Sequence, residues 1–262
     1  MYMPAMSVFQ PESSVVADVV PSPTHDERKD GREPDIILLH YTGMQSAQEA
    51  LDRLCSPDSK VSAHYFVFED GHIVQSVQEN RRAWHAGVSH WHGETDINSS
   101  SIGIEIANPG HDFGYPDFPS RQIAAVIALC KGIVARRGID PARVLAHSDV
   151  APSRKQDPGE KFPWRLLSNS GLGEWVTPSR ISDKDPNFEL GNEGDDVRGL
   201  QSAFADFGYG VTVTGVFDEP TRDVVTAFQR HFRPTKVDGI ADRSTLRTLH
   251  KLLQKRRGAQ TP

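Results

Sequence analysis

Ser101-Ile-Gly-Ile-Glu-Ile-Ala107 is the stretch that decides the fold class. Ile102, Ile104 and Ile106 fall on one side of a period-2 pattern, with Gly103 and Glu105 on the other, which predicts a strand with one buried face. Upstream, Asp35-Ile-Ile-Leu-Leu-His-Tyr-Thr42 is a nearly unbroken aliphatic run, the pattern of a strand buried on both faces. Asp70-Gly71, between Val61–Glu69 and His72–Val77, predicts a β-hairpin, and Arg143-Val-Leu-Ala-His147 another short strand. Helices interleave with these strands. Ser46 is placed to cap a helix over Ala47–Cys55, and Ser120 precedes an amphipathic helix over Arg121–Arg137 that Gly138 closes. Hairpin-linked and crossover-linked strands mixed with helices predict an α/β fold, a central mixed β-sheet flanked by helices.

Working outward, residues 1–33 hold Pro4, Pro11, Pro21 and Pro23 without a sustained period and read as a flexible N-terminal leader, with Val15–Val20 able to supply an edge strand. The main domain is expected over 34–176. Pro, Ser, Asp and Asn dominate Thr177–Asn192, a linker. A second, small three-helix C-terminal domain is expected over 193–256. It contains an internal echo, Gly215-Val-Phe-Asp-Glu-Pro-Thr221 and Gly239-Ile-Ala-Asp-Arg-Ser-Thr245, in which Gly turns the chain and Asp218 or Asp242 caps the next helix. Phe204 and Phe228 are expected in its core.

Composition excludes several classes. The 262 residues are 37% hydrophobic and 24% charged with a net charge of −6, which leaves no broad basic field and argues against nucleic acid as a partner. No apolar run reaches the ~18–20 residues of a membrane helix, so no transmembrane segment is expected. The two cysteines, Cys55 and Cys130, read as small buried hydrophobes rather than a disulfide framework. Met1–Gln10 lacks the cationic start and apolar core of a secretory signal.

The chemistry is sought in combinations. His40 and His147 each end a predicted strand, and Asp157 lies ten residues beyond the second in a polar loop. Strand ends converge on one rim of a sheet. Two imidazoles and a carboxylate there would make a three-ligand zinc site with its fourth position open. Glu105, on an apolar strand opposite three isoleucines, is exposed, ion-paired, or set for proton transfer. Lys155 is either a solvated loop lysine or an ammonium near the metal, positioned to stabilise an oxyanion.

Five stretches occur in order: Ile37-Leu-Leu-His-Tyr-Thr42, Ser62-Ala-His-Tyr-Phe-Val67, Ala83-Trp-His-Ala-Gly87, Asn98-Ser-Ser-Ser-Ile-Gly-Ile-Glu105, and Ala146-His-Ser-Asp-Val-Ala-Pro with Lys155-Gln-Asp-Pro-Gly159. Together they resemble the zinc-dependent N-acetylmuramoyl-L-alanine amidases of the type-2 amidase family, over roughly residues 34–170. The resemblance implies a mixed sheet with one zinc ion per chain at its rim, bound by His40, His147 and Asp157. It implies Glu105 as the catalytic carboxylate and Lys155 as the lysine that assists the transition state. His85, Trp84 and Tyr65 become candidate substrate contacts. His64 is a weaker one, and His90 and His92 flank Trp91 in an expected surface loop, stacking on ligand or simply structural. The tail resembles the three-helix peptidoglycan-binding domain of cell-wall hydrolases.

The expected activity is therefore hydrolysis of the amide between N-acetylmuramic acid and L-alanine in peptidoglycan or muropeptides. A non-catalytic peptidoglycan-recognition protein and a zinc peptidoglycan endopeptidase are the alternatives. The substrate and the wall-binding tail point to the cell envelope, and the missing signal leaves the cytoplasm open. Oligomeric state is not legible.

Overall fold

The computed structural model describes residues 9–182 and 187–259. It has two compact units: the chain up to Gly87 with Asp96–Leu145, and Val88–Thr95 with the chain from Ala146 onward. The strands are β1 (Asp18–Val19), β2 (His25–Glu27), β3 (Ile36–Tyr41), β4 (Tyr65–Val67), β5 (Ile73–Gln75), β6 (Arg81–Ala83), β7 (Ser101–Ile106) and β8 (Val144–Ala146). Interleaved with them are helices α1 (Ala47–Leu54), α2 (Ile97–Ser100) and α3 (Ser120–Arg137). Six strands form one sheet in the order β1-β5-β4-β7-β3-β8, and β2 pairs with β6 apart from it. β3 and β4 flank β7 in parallel, β4 and β5 form the expected antiparallel hairpin, and β1 adds a parallel edge, so the sheet is mixed.

The isoleucine face is the deep core. Ile37 and Leu39 sit opposite Ile102 and Ile104, and Tyr65 and Val67 opposite Ile104 and Ile106; all are fully buried. Each large aliphatic side chain there contributes about 1.5–3 kcal/mol. α3 lies over this side, and its Gln122 Nε2 donates to the Val67 and Ala107 carbonyls at 3.2 and 2.8 Å. Pro119 precedes α3, Ser120 is already helical, and Gly138 ends the helix at φ 65°. α1 starts where Ser46 accepts the Glu49 N–H, and packs Ala50, Leu51 and Leu54 with Phe66 and Val74 on the opposite face. The single-faced reading of 101–107 therefore understates burial, since only Glu105 in β7 is partly accessible.

Residues 9–33 differ from a flexible leader; Met1–Val8 lie outside the described residues. Arg28 is 5% exposed and donates to the carbonyls of Glu79, Asn98, Ser99 and Ser101. Burial and the Arg137 charge lower its pKa to about 10. Glu79, itself fully buried, takes Arg136 and Arg137 at 2.6 Å each, and its backbone N–H donates to Glu12. These partners lie dozens of residues away, which is why a local reading sees only a polar, proline-broken segment.

The second unit contains α4 (His147–Val150), α5 (Trp164–Asn169), α6 (Asp195–Phe207), α7 (Glu219–Phe232) and α8 (Arg243–Ala259). Phe204, Phe207, Phe217, Phe228, Leu249 and Leu252 make the core of the expected three-helix arrangement. The sequence echo has a structural counterpart. Asp218 Oδ1 accepts Thr221 N–H at 3.0 Å, and Asp242 Oδ1 accepts Thr245 N–H at 2.8 Å. Buried Gln201 and Gln229 brace the two turns, accepting the N–H groups of Gly215 (2.8 Å) and Gly239 (2.9 Å). Thr177 and Ser179 of the expected linker bond to α8 through Lys251 and Ser244, while 183–186 lie outside the described residues.

Candidate metal centre and active site

His40, fifth residue of β3, pairs in register with Glu105 of β7, so the two side chains leave one face of the sheet at neighbouring positions. The alternation that sends Leu39 and Ile104 into the α3 side delivers an imidazole and a carboxylate to the other. His40 is 1% exposed; Glu105 is half-buried.

Gly103 lies two residues before Glu105 on that face, and the His85 ring occupies the space a side chain there would take. A Cβ on Gly103 would meet ring atoms at 2.5 Å. From this seat His85 Nδ1 is 3.0 Å from His40 Nε2, and His85 Nε2 is 3.3 Å from Ser101 Oγ. The His85 backbone N–H donates to Asn98 Oδ1 at 3.0 Å.

β8 is the sheet neighbour of β3, and the chain passes directly from its last residue, Ala146, into α4. His147 thus opens a one-turn helix rather than ending a strand. Its Nδ1 lies 2.9 Å from Asp157 Oδ2, and Ser148 N–H donates to the Asp157 carbonyl at 3.0 Å. Both side chains are buried. His40, His147 and Asp157 form a buried group whose potential ligand atoms all lie within 4.8 Å of one another. The group can hold a metal ion. Two imidazoles and one carboxylate are a nitrogen and oxygen donor set of the kind that divalent transition metals accept. Lys155 is half-buried in the turn between Ala151 and Asp157, its N–H donating to the Ala151 carbonyl at 3.0 Å.

Other candidates have structural partners. Tyr65 is fully buried and its hydroxyl donates to Glu79 Oε1 at 2.6 Å, which makes it a core residue. Trp84 Nε1 donates to Asp26 Oδ2 at 2.7 Å, which fixes the indole in the β2–β6 region. His64 accepts the Gly103 N–H at Nδ1 (2.9 Å) and faces the Arg81 carbonyl with Nε2 (3.0 Å). Burial and the Arg28 charge lower its pKa to about 3, so it stays neutral and structural. Trp91 is 2% exposed against the rings of Phe207 and Tyr209, not a surface platform.

Sequence reasoning assigned no role to Gly103 or Ser101. The available signal was a glycine inside a strand, which marks a close approach by another group.

A family model described as "N-acetylmuramoyl-L-alanine amidase" matches residues 30–160, and one described as "Putative peptidoglycan binding domain" matches 193–249. N-acetylmuramoyl-L-alanine amidase AmiD of Escherichia coli K12 is 38% identical over 236 residues, 84% of this chain and 82% of AmiD. The structure of AmiD with the substrate anhydro-N-acetylmuramic acid-L-Ala-D-γ-Glu-L-Lys superposes with a TM-score of 0.71 at 35% identity, covering 87% of this chain and 93% of AmiD. AmpDh3 of Pseudomonas aeruginosa in complex with anhydromuramic pentapeptide gives a TM-score of 0.71 at 31% identity, over 87% of this chain and 94% of that one.

Proposed function

The chain belongs to the N-acetylmuramoyl-L-alanine amidase family, and from that membership we propose that it hydrolyses the amide joining the lactyl group of N-acetylmuramic acid to the L-alanine of the stem peptide. The observation that carries this reading is the buried His40, His147 and Asp157 group with Glu105 at the register position beside His40. The donor set fits one zinc ion, held by His40, His147 and Asp157.

When bound, zinc supplies Lewis acidity, lowering the pKa of a water and drawing charge from the amide carbonyl. The Glu105 carboxylate takes a proton from the attacking water and returns it to the alanine nitrogen, because an amine departs from carbon far more readily than an amide anion. Lys155 Nζ balances the negative charge that gathers on the carbonyl oxygen. His85 holds the His40 ring in one orientation. The match over 193–249 supports attachment to polymeric peptidoglycan and action in the cell envelope. The ligands in the AmiD and AmpDh3 structures support anhydro-muropeptides as substrates.

The test is mass spectrometry of products from intact sacculi and from soluble anhydro-muropeptides, with and without chelator. Release of peptides that begin with L-alanine, abolished by chelator and restored by zinc, is expected. Stem peptides left on the sugar, or cut between amino acids, would overturn the assignment.

A further inference from the structure

We propose that the C-terminal helical module is a working part of the metal centre: Tyr209 and His231 hold the Asp149 carboxylate, and through it they position the turn that carries His147. The inference rests on the zinc reading given above. Asp149 lies in α4, two residues after His147, and is fully buried. Its Oδ1 accepts the Tyr209 hydroxyl at 2.6 Å. Its Oδ2 accepts His231 Nδ1 at 2.7 Å and the backbone N–H of Ala146 at 2.9 Å.

The donors are themselves fixed. Tyr209 is 1% exposed, edge-on to Trp91 and Phe204. His231, on α7, is stacked between Trp164 of α5 and Phe232, with centroids 3.7 and 3.8 Å away. Burial and the Asp149 charge raise the Tyr209 pKa, so the phenol remains a donor.

A buried carboxylate is costly unless directional donors satisfy it. A contact that served only to attach one module to another would be made as well by apolar side chains. Three donors converging on one carboxylate instead determine where α4 begins. The bond to Ala146 N–H fixes the residue before His147, and Ser148, between His147 and Asp149, is tied to the Asp157 backbone. A shift of Asp149 is therefore felt at both metal ligands of this segment. Tyr209 and His231 are positioning residues that act on the metal from more than fifty residues away in sequence.

The experiment uses the full chain and reads zinc affinity by competition with a chromophoric chelator, with amide exchange over 146–150 alongside. Tyr209→Phe removes one oxygen; His231→Leu removes the ring donor; His231→Asn keeps a donor at the Nδ1 position. The first two are expected to weaken zinc binding about tenfold and to speed exchange, while His231→Asn recovers most of the loss. If His231→Leu does not fold, Tyr209→Phe decides. Zinc affinity within twofold of the unaltered chain in the folded variants overturns the inference alone. Failure of the unaltered chain to bind zinc overturns the functional reading and takes this inference with it.

Discussion

Replacing Gly103 by alanine probes the least legible part of the centre. The added Cβ would lie 2.5 Å from His85 Cγ and Nδ1 and 2.6 Å from Cδ2, whereas ordinary contact begins at 3.4 Å. The ring must therefore retreat by about 0.9 Å. The bond from His85 Nδ1 to His40 Nε2 is 3.0 Å long. A displacement of this size takes it past the ~3.5 Å at which a hydrogen bond stops being useful. Two costs follow. Overpacking of the buried strand position destabilises by about 1–3 kcal/mol. Loss of the group that orients a metal-binding histidine weakens metal affinity by about 10–100-fold, or roughly 1.4–2.7 kcal/mol. Urea unfolding of the metal-free chain reads the first cost and zinc competition the second. Gly199, inside α6 with nothing within 4 Å of its Cβ position, is the comparator. Gly199→Ala should stabilise by about 0.5–1 kcal/mol without touching zinc. If Gly103→Ala leaves both stability and zinc affinity unchanged, the claim that His85 needs this gap to hold His40 is wrong.

Glu105→Gln should keep zinc stoichiometry and lower the rate of muropeptide hydrolysis by at least about 100-fold, as expected for removal of a proton-transfer group; near-normal turnover would reject its role. Asp157→Ala should strip zinc from the purified chain, since two imidazoles alone bind it poorly, and elemental analysis at unchanged stoichiometry would reject Asp157 as a ligand. Because the folded pKa of His64 is lowered to about 3, the unfolded chain binds a proton below its ordinary value of 6.5 and the folded chain does not. Stability present above that value is lost as pH falls, by about 1.4 kcal/mol per unit and so about 2 kcal/mol at pH 5. His64→Gln should be less stable at neutral pH yet flatter between pH 7 and 5 in urea unfolding, and equal slopes would contradict the assignment.

What could be read from the sequence was what local spacing determines. The alternation through Ile102, Ile104 and Ile106, the Asp70-Gly71 turn, the Gly138 stop and the paired caps at Asp218 and Asp242 each depend on neighbours within a few residues. His40 was legible because it closes a long aliphatic run. Arg28 was not, because its acceptors come from Glu79 and from Asn98 to Ser101. Tyr65 and Trp91 sit in motifs with polar or aromatic company, and only distant partners reveal them as core: Glu79 for the first, Phe207 and Tyr209 for the second. Period-2 reasoning placed Gly103 on the face of Glu105, but a bare glycine does not announce which ring fills its gap.

Zinc K-edge absorption of the purified full chain, with elemental analysis of the same sample, tests the central claim most directly. The account predicts one zinc per chain with imidazole nitrogen and carboxylate oxygen scatterers at about 2.0–2.2 Å. No stoichiometric zinc, or a sulfur shell near ~2.3 Å from cysteine, would contradict it.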